Sequence, residues 1–489
     1  MRPITIPDEV SRITSTLENA GFKAYLVGGC TRDLILDRKP KDWDITTEAD
    51  PEKIMELFPH TFYTNTYGTV TVVNDDVENE TLKNIEVTPF RKEGIYSDKR
   101  HPDEVIFTKN LEEDLSRRDF TINAIAYSVS KGQFIDPYKG QDDIKDKMVR
   151  AVGNPVERFS EDALRMMRAI RLAAELGFTL NTDTKRALKE KAQLIREIAA
   201  ERVRDELSKT LMAEKPILAV EVARETGIIN YILPELLEGI GIQQNQAHSY
   251  EVWEHNLRSL QHAANRGWPF HVRLSALLHD IGKPRARLWD EKKKDWTFHG
   301  HDVIGAKMTK HIVERLKFSR ETADVVTKLV RYHLFFSDTE KITLSAVRRV
   351  IRKVGPENIW ELMKLRACDR IGTGRPKETP YRLRKYESMI EEALRDPISV
   401  SMLALGGADV MHITQLEPGQ KIGHILHALL EDVLDDPKRN TREYLESRVK
   451  ELATLSENEL TQLGQRGKEK KGELEGAEIQ EIRKRHWVQ

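Results

Sequence analysis

The amino-acid sequence predicts an α+β protein, in which a small mixed-sheet head is followed by an all-α part that contains an inserted helical domain. Within the first 150 residues, β-branched side chains recur with a period of two over 68–73 and 84–88, which is typical of strands. Beyond residue 154, strand signals are few and apolar residues recur at helical spacing to about residue 455. A length of 489 residues is consistent with about three domains.

The head is predicted to open with an amphipathic helix and a buried strand that ends at two glycines. Apolar periodicity and a proline in a first helical turn set the boundaries that follow. The predicted elements are a helix over 5–20, a strand over Lys23–Val27, a helix from Asp33–Leu36, a strand over Trp43–Thr46 and a helix over Pro51–Leu57.

Polar loops divide the remainder of the chain. Gly241–Ser249 is rich in Gln, and Gly372–Thr379 is rich in Gly, Pro and charge, so these loops bracket an inserted domain. The last segment mixes charges with almost no apolar period and is expected to be mobile or disordered. The predicted segments are 1–150 (head), 151–240, 245–375 (inserted domain), 376–455 and 456–489.

Composition narrows the class of protein. A net charge of −1 argues against a globally basic nucleic-acid coat, but it allows a local basic groove. No apolar run approaches the ~18 residues of a membrane helix, and the N-terminus lacks a signal-like apolar core, so we expect a cytoplasmic protein. Cys30 and Cys368 lie far apart in sequence and are expected to be reduced.

The segment Leu26–Asp33, followed by Asp42-Trp43-Asp44, carries the first chemical pattern. Gly28 and Gly29 let backbone amides approach a triphosphate without interference from a Cβ atom. In an extended segment Asp42 and Asp44 point to one face, where two carboxylates can hold Mg²⁺. A glycine pair alone is usually a turn, and an Asp-x-Asp pair alone is usually a solvated loop. Together they predict nucleotidyl or phosphoryl transfer.

A second pattern covers Glu112–Ala124. Arg117 or Arg118 could reach a phosphate, and Asp119 or Asn123 could reach a sugar. The residues alone leave this interpretation and a plain helix-capping network equally open.

A third pattern, Glu161–Arg171, is predicted to lie on one helix with Ser160 as its N-cap. Asp162 and Arg165 would be neighbours at i, i+3, and Arg168 and Arg171 continue at threefold spacing. A surface ion pair is the ordinary explanation. However, cytosine and adenine both present an amine donor beside a ring-nitrogen acceptor, so a carboxylate beside a guanidinium matches them and mismatches uracil and guanine.

A fourth pattern lies in the inserted domain, where His255, His279-Asp280, His301, His333 and Asp369 follow one another. A lone His-Asp pair on an apolar helix is more often a hydrogen-bonded core pair. The flanking apolar run, Gly282-Lys283 and the late Asp369 argue for a functional site instead.

With these residues in place, the chain resembles the bacterial tRNA nucleotidyltransferases, the CCA-adding family of the polymerase-beta-type superfamily. The resemblance covers about 1–235 and again about 400–450. It rests on GGCTRD, DWD, RRDFTIN, DPYKGQDD, EDALRMMRAIR and ERVRDEL, which stand in the family's order.

The resemblance implies a head, neck, body and tail architecture, tRNA as partner, and ATP and CTP as substrates. Asp42 and Asp44 would bind Mg²⁺ and support in-line attack of the tRNA 3′-hydroxyl on the α-phosphorus. Glu86 is a possible third carboxylate or a plain strand residue. The residues implied to hold the nucleotide are Gly28, Gly29, Arg32, Arg117 or Arg118, Asp119, Asn123, Asp162, Arg165, Arg168 and Arg171.

The inserted domain resembles the HD phosphohydrolases. This implies that His255, His279, Asp280 and Asp369 hold a divalent transition metal (Mn, Ni, Fe or Co), with His301 and His333 as ligands of a possible second ion or as phosphate contacts. We expect a live phosphohydrolase site rather than a structural relic, since the set of ligands is complete.

The chain departs from the family at Thr31, where Val is usual, and at Asn65 and Tyr67, where Gly and His are common. The loop Phe90–Pro102 resembles one that CC-only members shorten, which disfavours a CC-only enzyme. A-only addition, poly(A) polymerisation, a regulatory protein-nucleotidylylating enzyme and a non-catalytic RNA-binding scaffold remain as alternatives. The oligomeric state stays open.

Overall fold

The computed structural model describes residues 4–64, 68–75, 77–94, 105–246, 248–335, 342–395 and 399–488. Asn65, Tyr67 and the part of the loop from 95 to 102 lie outside these ranges. Two compact units are found: unit 1 comprises Met1–His333 with Lys364–Pro376, and unit 2 comprises Leu334–Met363 with Lys377–Gln489. No helix in the described ranges is both long and apolar enough to cross a membrane.

A mixed sheet forms the centre of the head. Its strand order is β3-β4-β5-β2-β1-β8-β9, where β2 and β5 are parallel and the other neighbours are antiparallel. The head strands are β1 (Ala24–Val27), β2 (Asp44–Thr47), β3 (Thr61–Tyr63), β4 (Val70–Val73), β5 (Asn84–Pro89), β6 (Arg91–Glu93), β7 (Val105–Phe107), β8 (Ala126–Ser128), β9 (Gln133–Ile135) and β10 (Met148–Val149). The head helices are α1 (Asp8–Asn19), α2 (Gly29–Ile35), α3 (Pro51–Leu57), α4 (Glu80–Lys83), α5 (Leu111–Ser116) and α6 (Gly140–Lys145).

Helices dominate the rest of unit 1. A single apolar cluster runs through its buried residues from Phe120 to Val330, and a second one fills the head. The helices are α7 (Pro155–Glu161), α8 (Leu164–Leu176), α9 (Thr182–Lys191), α10 (Ala200–Leu211), α11 (Pro216–Glu225), α12 (Ile229–Ile232), α13 (Val252–Asn265), α14 (Phe270–Leu278), α15 (Lys283–Ala286), α16 (His301–Arg315) and α17 (Arg320–Tyr332). The short strands are β11 (Thr179–Leu180), β12 (Leu288–Asp290) and β13 (Asp295–Thr297).

Unit 2 has its own apolar core, built round Ile425, Leu429 and Val449. Its helices are α18 (Leu344–Val354), α20 (Tyr381–Leu394), α21 (Gly407–Thr414), α22 (Gln420–Asp435), α23 (Arg442–Ala453) and α24 (Glu457–Arg485). The intervening helix α19 (Ile359–Gly372) contributes residues to both units.

The predicted fold class is confirmed, and the differences are local. Helix α2 begins at Gly29 rather than Asp33, because the glycine turn leads directly into the helix. Strand β2 begins at Asp44, so Asp42 lies in the loop before it. Cys30 and Cys368 are both free and buried, and burial raises the pKa of the Cys30 thiol to about 12.

The prediction of a mobile or disordered segment over 456–489 is wrong for the residues of α24. Ser456 and Glu459 form a reciprocal cap, in which the Ser456 amide donates to Glu459 at 3.0 Å and the Glu459 amide donates to Ser456 at 3.4 Å. Gly464 and Gly467 are buried against α22. Mixed charges with almost no apolar period suggested disorder, whereas the two glycines permit a close helix–helix contact.

Substitution of Gly467 by Ala should destabilise unit 2. A Cβ atom there would lie 2.0 Å from the backbone oxygen of His427, so one helix must move, at a cost of about 1–3 kcal/mol. Gly472→Ala is the matched control, since a Cβ atom at Gly472 meets nothing within 4 Å. Thermal unfolding should show a midpoint about 3–8 °C lower for Gly467→Ala and unchanged or higher for the control. Equal midpoints would show that α24 does not pack on α22.

Candidate functional site

The turn between β1 and α2 brings backbone and carboxylates together. Gly28 has a φ of +81°, a conformation that favours glycine. A Cβ atom on Gly28 would lie 3.0 Å from Asp44 Oδ2 and 3.3 Å from Arg118 Nη1, and one on Gly29 would lie 3.6 Å from Asp42 Oδ1. The two glycines therefore allow the backbone to lie directly against both aspartates.

Three carboxylates repel one another beside this turn. Asp44 stands opposite Glu86 in the parallel register of β2 and β5. Burial and the charge of Asp42 raise the pKa of Asp44 to about 7, and the same two causes raise the pKa of Glu86. A divalent cation would relieve this repulsion, and carboxylate oxygens are suitable ligands for it. Asp42 and Asp44 are thus placed to hold a metal ion.

A cleft of about 720 Å³ opens beside the carboxylates. Cations from the head and from helices α8 and α10 line it, as an anionic ligand requires. The predicted site residues in its lining are Gly29, Arg32, Asp42, Asp44, Asn123, Arg168 and Arg171, and further basic residues are Arg38, Lys39, Lys41 and Lys209.

Ion pairs hold several of the predicted site residues in place. Arg117 Nη2 lies 2.8 Å and Arg118 Nη2 lies 3.5 Å from the buried Asp114. Although burial alone would raise it, these guanidinium groups hold the pKa of Asp114 below its ordinary value. Arg168 Nη2 likewise lies 2.7 Å from Asp119. Asp114 therefore positions both arginines, a role that the sequence analysis did not assign to it.

Arg32 and Asn123 connect the glycine turn to the RRDFTIN segment. Arg32 donates to Asn123 Oδ1 at 2.8 Å and to Asp33 Oδ1 at 2.7 and 2.9 Å. Asn123 donates in turn to Asp119 at 3.4 Å. This network holds the Arg32 guanidinium at the wall of the cleft.

The prediction of one helix capped by Ser160 is wrong. Helix α7 ends at Glu161, and Asp162 has extended backbone with φ −134° and ψ 104°. The Leu164 amide donates to Asp162 Oδ1 at 3.0 Å, so Asp162 is the residue that caps the start of α8. No proline or glycine marks this break in the sequence.

The side chains of Asp162 and Arg165 do not form the expected pair with each other. Arg165 lies 2.6 Å from Glu161, while Asp162 lies 3.3 Å from Arg202 on α10. Arg171 lies 2.7 Å from Glu206, also on α10. Asp162 and Arg171 are thus held by partners on α10 that spacing along one helix did not identify, whereas Glu161 stands four residues before Arg165.

A second cluster lies in the inserted domain and contains all the histidines and aspartates predicted for it. The ligand atoms of His255, His279, Asp280 and Asp369 lie within 4.8 Å of one another, as do those of Asp280, His301 and His333. Asp280 Oδ2 lies 3.0 Å from His255 Nε2, and Asp280 Oδ1 lies 3.2 Å from His301 Nε2. One carboxylate is thus shared by two groups of ligands.

The imidazoles are oriented for metal binding. The Nδ1 atoms of His279, His301 and His333 lie 2.9, 2.6 and 2.7 Å from the backbone oxygens of Ala276, Phe298 and Val330. Nδ1–H is therefore the donor in each ring, which leaves Nε2 free to ligate. The buried Nε2 atoms of His301 and His333 have no hydrogen-bond partner among the described residues. These unpaired nitrogens fit a divalent metal.

Close backbone contacts assemble this cluster. A Cβ atom on Gly282 would lie 2.3 Å from the backbone oxygen of His301, and one on Gly372 would lie 2.7 Å from that of His255. Glycine at these positions lets α16 approach the His279-Asp280 turn and lets α19 approach α13. His301 and Asp369 reach the cluster as a result.

Charged neighbours set the protonation of the cluster. Although burial alone would raise it, the Lys283 ammonium and the His279 imidazole hold the pKa of Asp280 well below its ordinary value, with Lys283 Nζ 2.6 Å away. Arg366 has the same effect on Asp369. Burial and the Lys283 charge lower the pKa of His248 to about 4. Of these neighbours, the sequence analysis had noted only Lys283, as part of Gly282-Lys283.

Three family models match the chain. They are the poly A polymerase head domain over residues 24–150, the probable RNA and SrmB-binding site of polymerase A over 177–239, and the HD domain over 246–374. These segments of the chain are similar to poly A polymerase head domains and to HD domains, in agreement with the resemblance stated from the sequence.

Proteins named CCA-adding enzyme are similar to part of the chain. The one from Lactobacillus helveticus is 48% identical over 198 residues, which cover 40% of this chain and 48% of the relative. The one from Leuconostoc mesenteroides is 41% identical over 256 residues, which cover 51% and 62%. The chain thus spans about half the length of the curated relatives it matches.

Solved structures extend the similarity of fold. The CCA-adding enzyme of Bacillus stearothermophilus in complex with CTP is 28% identical, with a TM-score of 0.58, and the match covers 91% of this chain and 98% of that chain. The Thermotoga maritima CCA-adding enzyme, solved with tRNA, is 19% identical with a TM-score of 0.50 and shares the fold.

The pKa of Asp44 makes metal binding depend on pH. At a pKa of about 7 the carboxyl must lose its proton to ligate, so Mg²⁺, used as the probe, should bind more tightly at pH 8 than at pH 6 and should release roughly half a proton at pH 7. The pKa in the folded state exceeds the ordinary carboxyl value of 3.8, so metal-free protein should lose stability as pH rises from about 4 to about 7.

Calorimetry in buffers of different ionisation enthalpy measures the proton release. Asp44→Asn should remove it, and the exposed Asp75→Asn should not. Proton release that is equal in Asp44→Asn and in the unsubstituted protein would show that Asp44 does not ligate.

Proposed function

We propose that the head adds C, C and A to the 3′ end of tRNA without a template, using CTP and ATP and releasing pyrophosphate. The observation that carries this proposal is the set of mutually repelling carboxylates at a glycine turn, open to a cleft lined by basic residues. The similar proteins named CCA-adding enzyme support the choice of reaction. The match to a probable RNA-binding model over 177–239 supports RNA as the acceptor. In this proposal the protein acts in the cytoplasm.

In this proposal Asp42 and Asp44 hold Mg²⁺, with Glu86 beside them. The metal supplies charge that lowers the pKa of the attacking hydroxyl and neutralises the triphosphate. The amides after Gly28 and the side chains of Arg32 and Arg168 bind phosphate oxygens and align the α-phosphorus. The 3′-oxygen forms a bond to the α-phosphorus. The bond between that phosphorus and the bridging oxygen breaks, and pyrophosphate leaves.

Asp162 and Arg165 are proposed to select the base. The exocyclic amine of cytosine or adenine would donate to the Asp162 carboxylate, and the ring nitrogen would accept from Arg165. Arg202 and Glu161 position these two side chains in the described structure. Uracil and guanine would leave buried donors and acceptors unpaired, which costs affinity.

Two tRNA transcripts test the reaction, one ending at the discriminator base and one ending in CC, each with CTP, ATP or both in the presence of Mg²⁺. Growth by CCA on the first and by A on the second, resolved at single nucleotides, is the expected result. Asp42→Asn and Asp44→Asn should each reduce the rate by at least about 10²-fold, because a metal ligand is lost.

Other patterns would indicate the alternatives. Growth only on the CC-ended transcript would make the protein an A-adding enzyme, and long A tails would make it a poly(A) polymerase. No growth on either transcript would contradict the proposal and favour a regulatory enzyme that nucleotidylylates a protein.

We further propose that the HD domain is a metal-dependent phosphohydrolase. The carrying observation is the pair of ligand groups that share Asp280. Four histidines with two aspartates suit a divalent transition metal such as Mn, Ni, Fe or Co. Such a metal would supply a water of lowered pKa. Attack of that water on phosphorus would break the bond to the leaving alcohol, and the proton lost by the water would pass to the leaving oxygen.

Asp280→Asn should abolish phosphatase activity on p-nitrophenyl phosphate, because Asp280 belongs to both ligand groups of the HD cluster. The substitution should leave CCA addition unchanged, because Asp280 is not part of the head site. Asp42→Asn is the reciprocal control and should lose only nucleotide addition. Each activity is measured on protein loaded with Mn²⁺ or Ni²⁺ and again after chelation. Loss of both activities in folded Asp280→Asn protein would contradict two independent sites.

A further inference from the structure

An exposed aromatic hairpin lies next to the HD cluster and takes no part in the functions proposed so far. Strands β12 and β13 pair with Trp289 directly opposite Trp296. The two rings meet edge to face at 5.1 Å. Trp289 remains 46% exposed and the adjoining Leu288 remains 66% exposed. A large indole held rigidly in solvent is unusual without a partner, since aromatic side chains gain most from burial.

The charges around these rings are suited to phosphate. Lys292, Lys293 and Lys294 form the turn of the hairpin, and the Arg287 guanidinium lies 3.6 Å from the centre of the Trp296 ring. The carboxylates of Asp290 and Asp295 are occupied by backbone amides: Asp290 accepts from Lys292 and Lys293 at 3.0 and 3.1 Å. Asp295 accepts from the amides of Trp296 and Gln246 at 2.8 and 3.2 Å. Three lysines thus stand beside Glu291 in the turn of the hairpin, and Arg287 lies over the Trp296 ring.

Both ends of the hairpin are attached to the metal cluster. Lys283, which lies 2.6 Å from Asp280, begins the helix that leads into β12. Phe298, which follows β13, accepts from His301 Nδ1 at 2.6 Å, and the centre of its ring lies 5.6 Å from Lys283 Nζ. Trp296 is only two residues before Phe298, roughly 7 Å along an extended strand. A chain stacked on the hairpin would therefore end near the ligands.

We propose that this hairpin binds single-stranded RNA, with a base stacked on Trp289 and phosphates on the lysine turn, and presents the phosphorylated end of the strand to the HD cluster. Exposed aromatic rings with interleaved cations are the combination that binds unpaired nucleotides, because each base offers a face and each linkage a negative charge. The presentation of a strand end rests on the proposed phosphohydrolase activity, whereas the binding of RNA to the hairpin is independent of that activity.

The binding test uses the full chain, stripped of metal, and a fluorescein-labelled single-stranded A/C oligoribonucleotide of eight residues with a 3′-phosphate. Loss of one stacked base costs about 1–3 kcal/mol, so Trp289→Ala should weaken binding about 5- to 150-fold, and Trp289→Phe should restore most of it. Trp487→Ala, which removes an indole that is 81% exposed elsewhere in the chain, is the matched control. Lys292→Glu with Lys293→Glu should reduce the dependence of the affinity on salt.

Equal affinity for the unsubstituted protein, Trp289→Ala and the double lysine variant would overturn the proposal, and the hairpin would then be assigned to a protein partner. With metal present, Trp289→Ala should lower kcat/KM for the 3′-phosphorylated oligonucleotide and leave hydrolysis of p-nitrophenyl phosphate unchanged. Trp289-dependent binding without any hydrolysis would support the RNA surface and refute the phosphohydrolase. Equal hydrolysis of the oligonucleotide by the unsubstituted protein and by Trp289→Ala would refute the presentation of strand ends.

Discussion

The neutralisation of buried negative charge is the constraint on which both sites depend. Removing a carboxylate from water costs several kcal/mol unless a cation accompanies it. In the described ranges, the eight buried carboxylates each lie within 4 Å of an Arg or Lys nitrogen. They are Asp33, Asp114, Asp119, Asp143, Glu206, Asp280, Asp369 and Glu431. Burial and the charge of Asp42 raise the pKa values of Asp44 and Glu86. Among the described residues of the head, the charge of these two carboxylates is therefore not fully compensated.

The two sites are connected by a continuous framework within unit 1. Helix α10 supplies Arg202 and Glu206 to the residues near the nucleotide cleft, and its C-terminal end receives the buried Arg273. The Arg273 guanidinium donates to the backbone oxygens of Leu211 and Ala213 at 3.0 and 2.9 Å. Arg273 lies on α14, the helix that ends immediately before His279. The buried Arg273 guanidinium thus connects helix α10 to the helix that leads into His279 and Asp280.

Much of this architecture could be predicted from the sequence because its signals are local. The glycine pair, the Asp-x-Asp step and His279-Asp280 each place their chemistry within a few residues, and β-branched and helical periods gave the fold class. The partner of Asp162 could not be predicted, since Arg202 is 40 residues away, and the break before α8 has no proline or glycine to mark it. The order of α24 depends on Gly464 and Gly467 meeting α22, which is a tertiary contact.

Asp280 has a consequence for how the HD domain can change during evolution. Its two oxygens face different sets of histidines, Oδ2 towards His255 and His279 and Oδ1 towards His301 and His333. A substitution at position 280 would therefore remove a shared ligand from both sets at once. Loss of His301 or His333 leaves the first set whole. In the proposed metal centre, a lineage that loses His301 or His333 would pass through a mononuclear form before it loses the metal altogether.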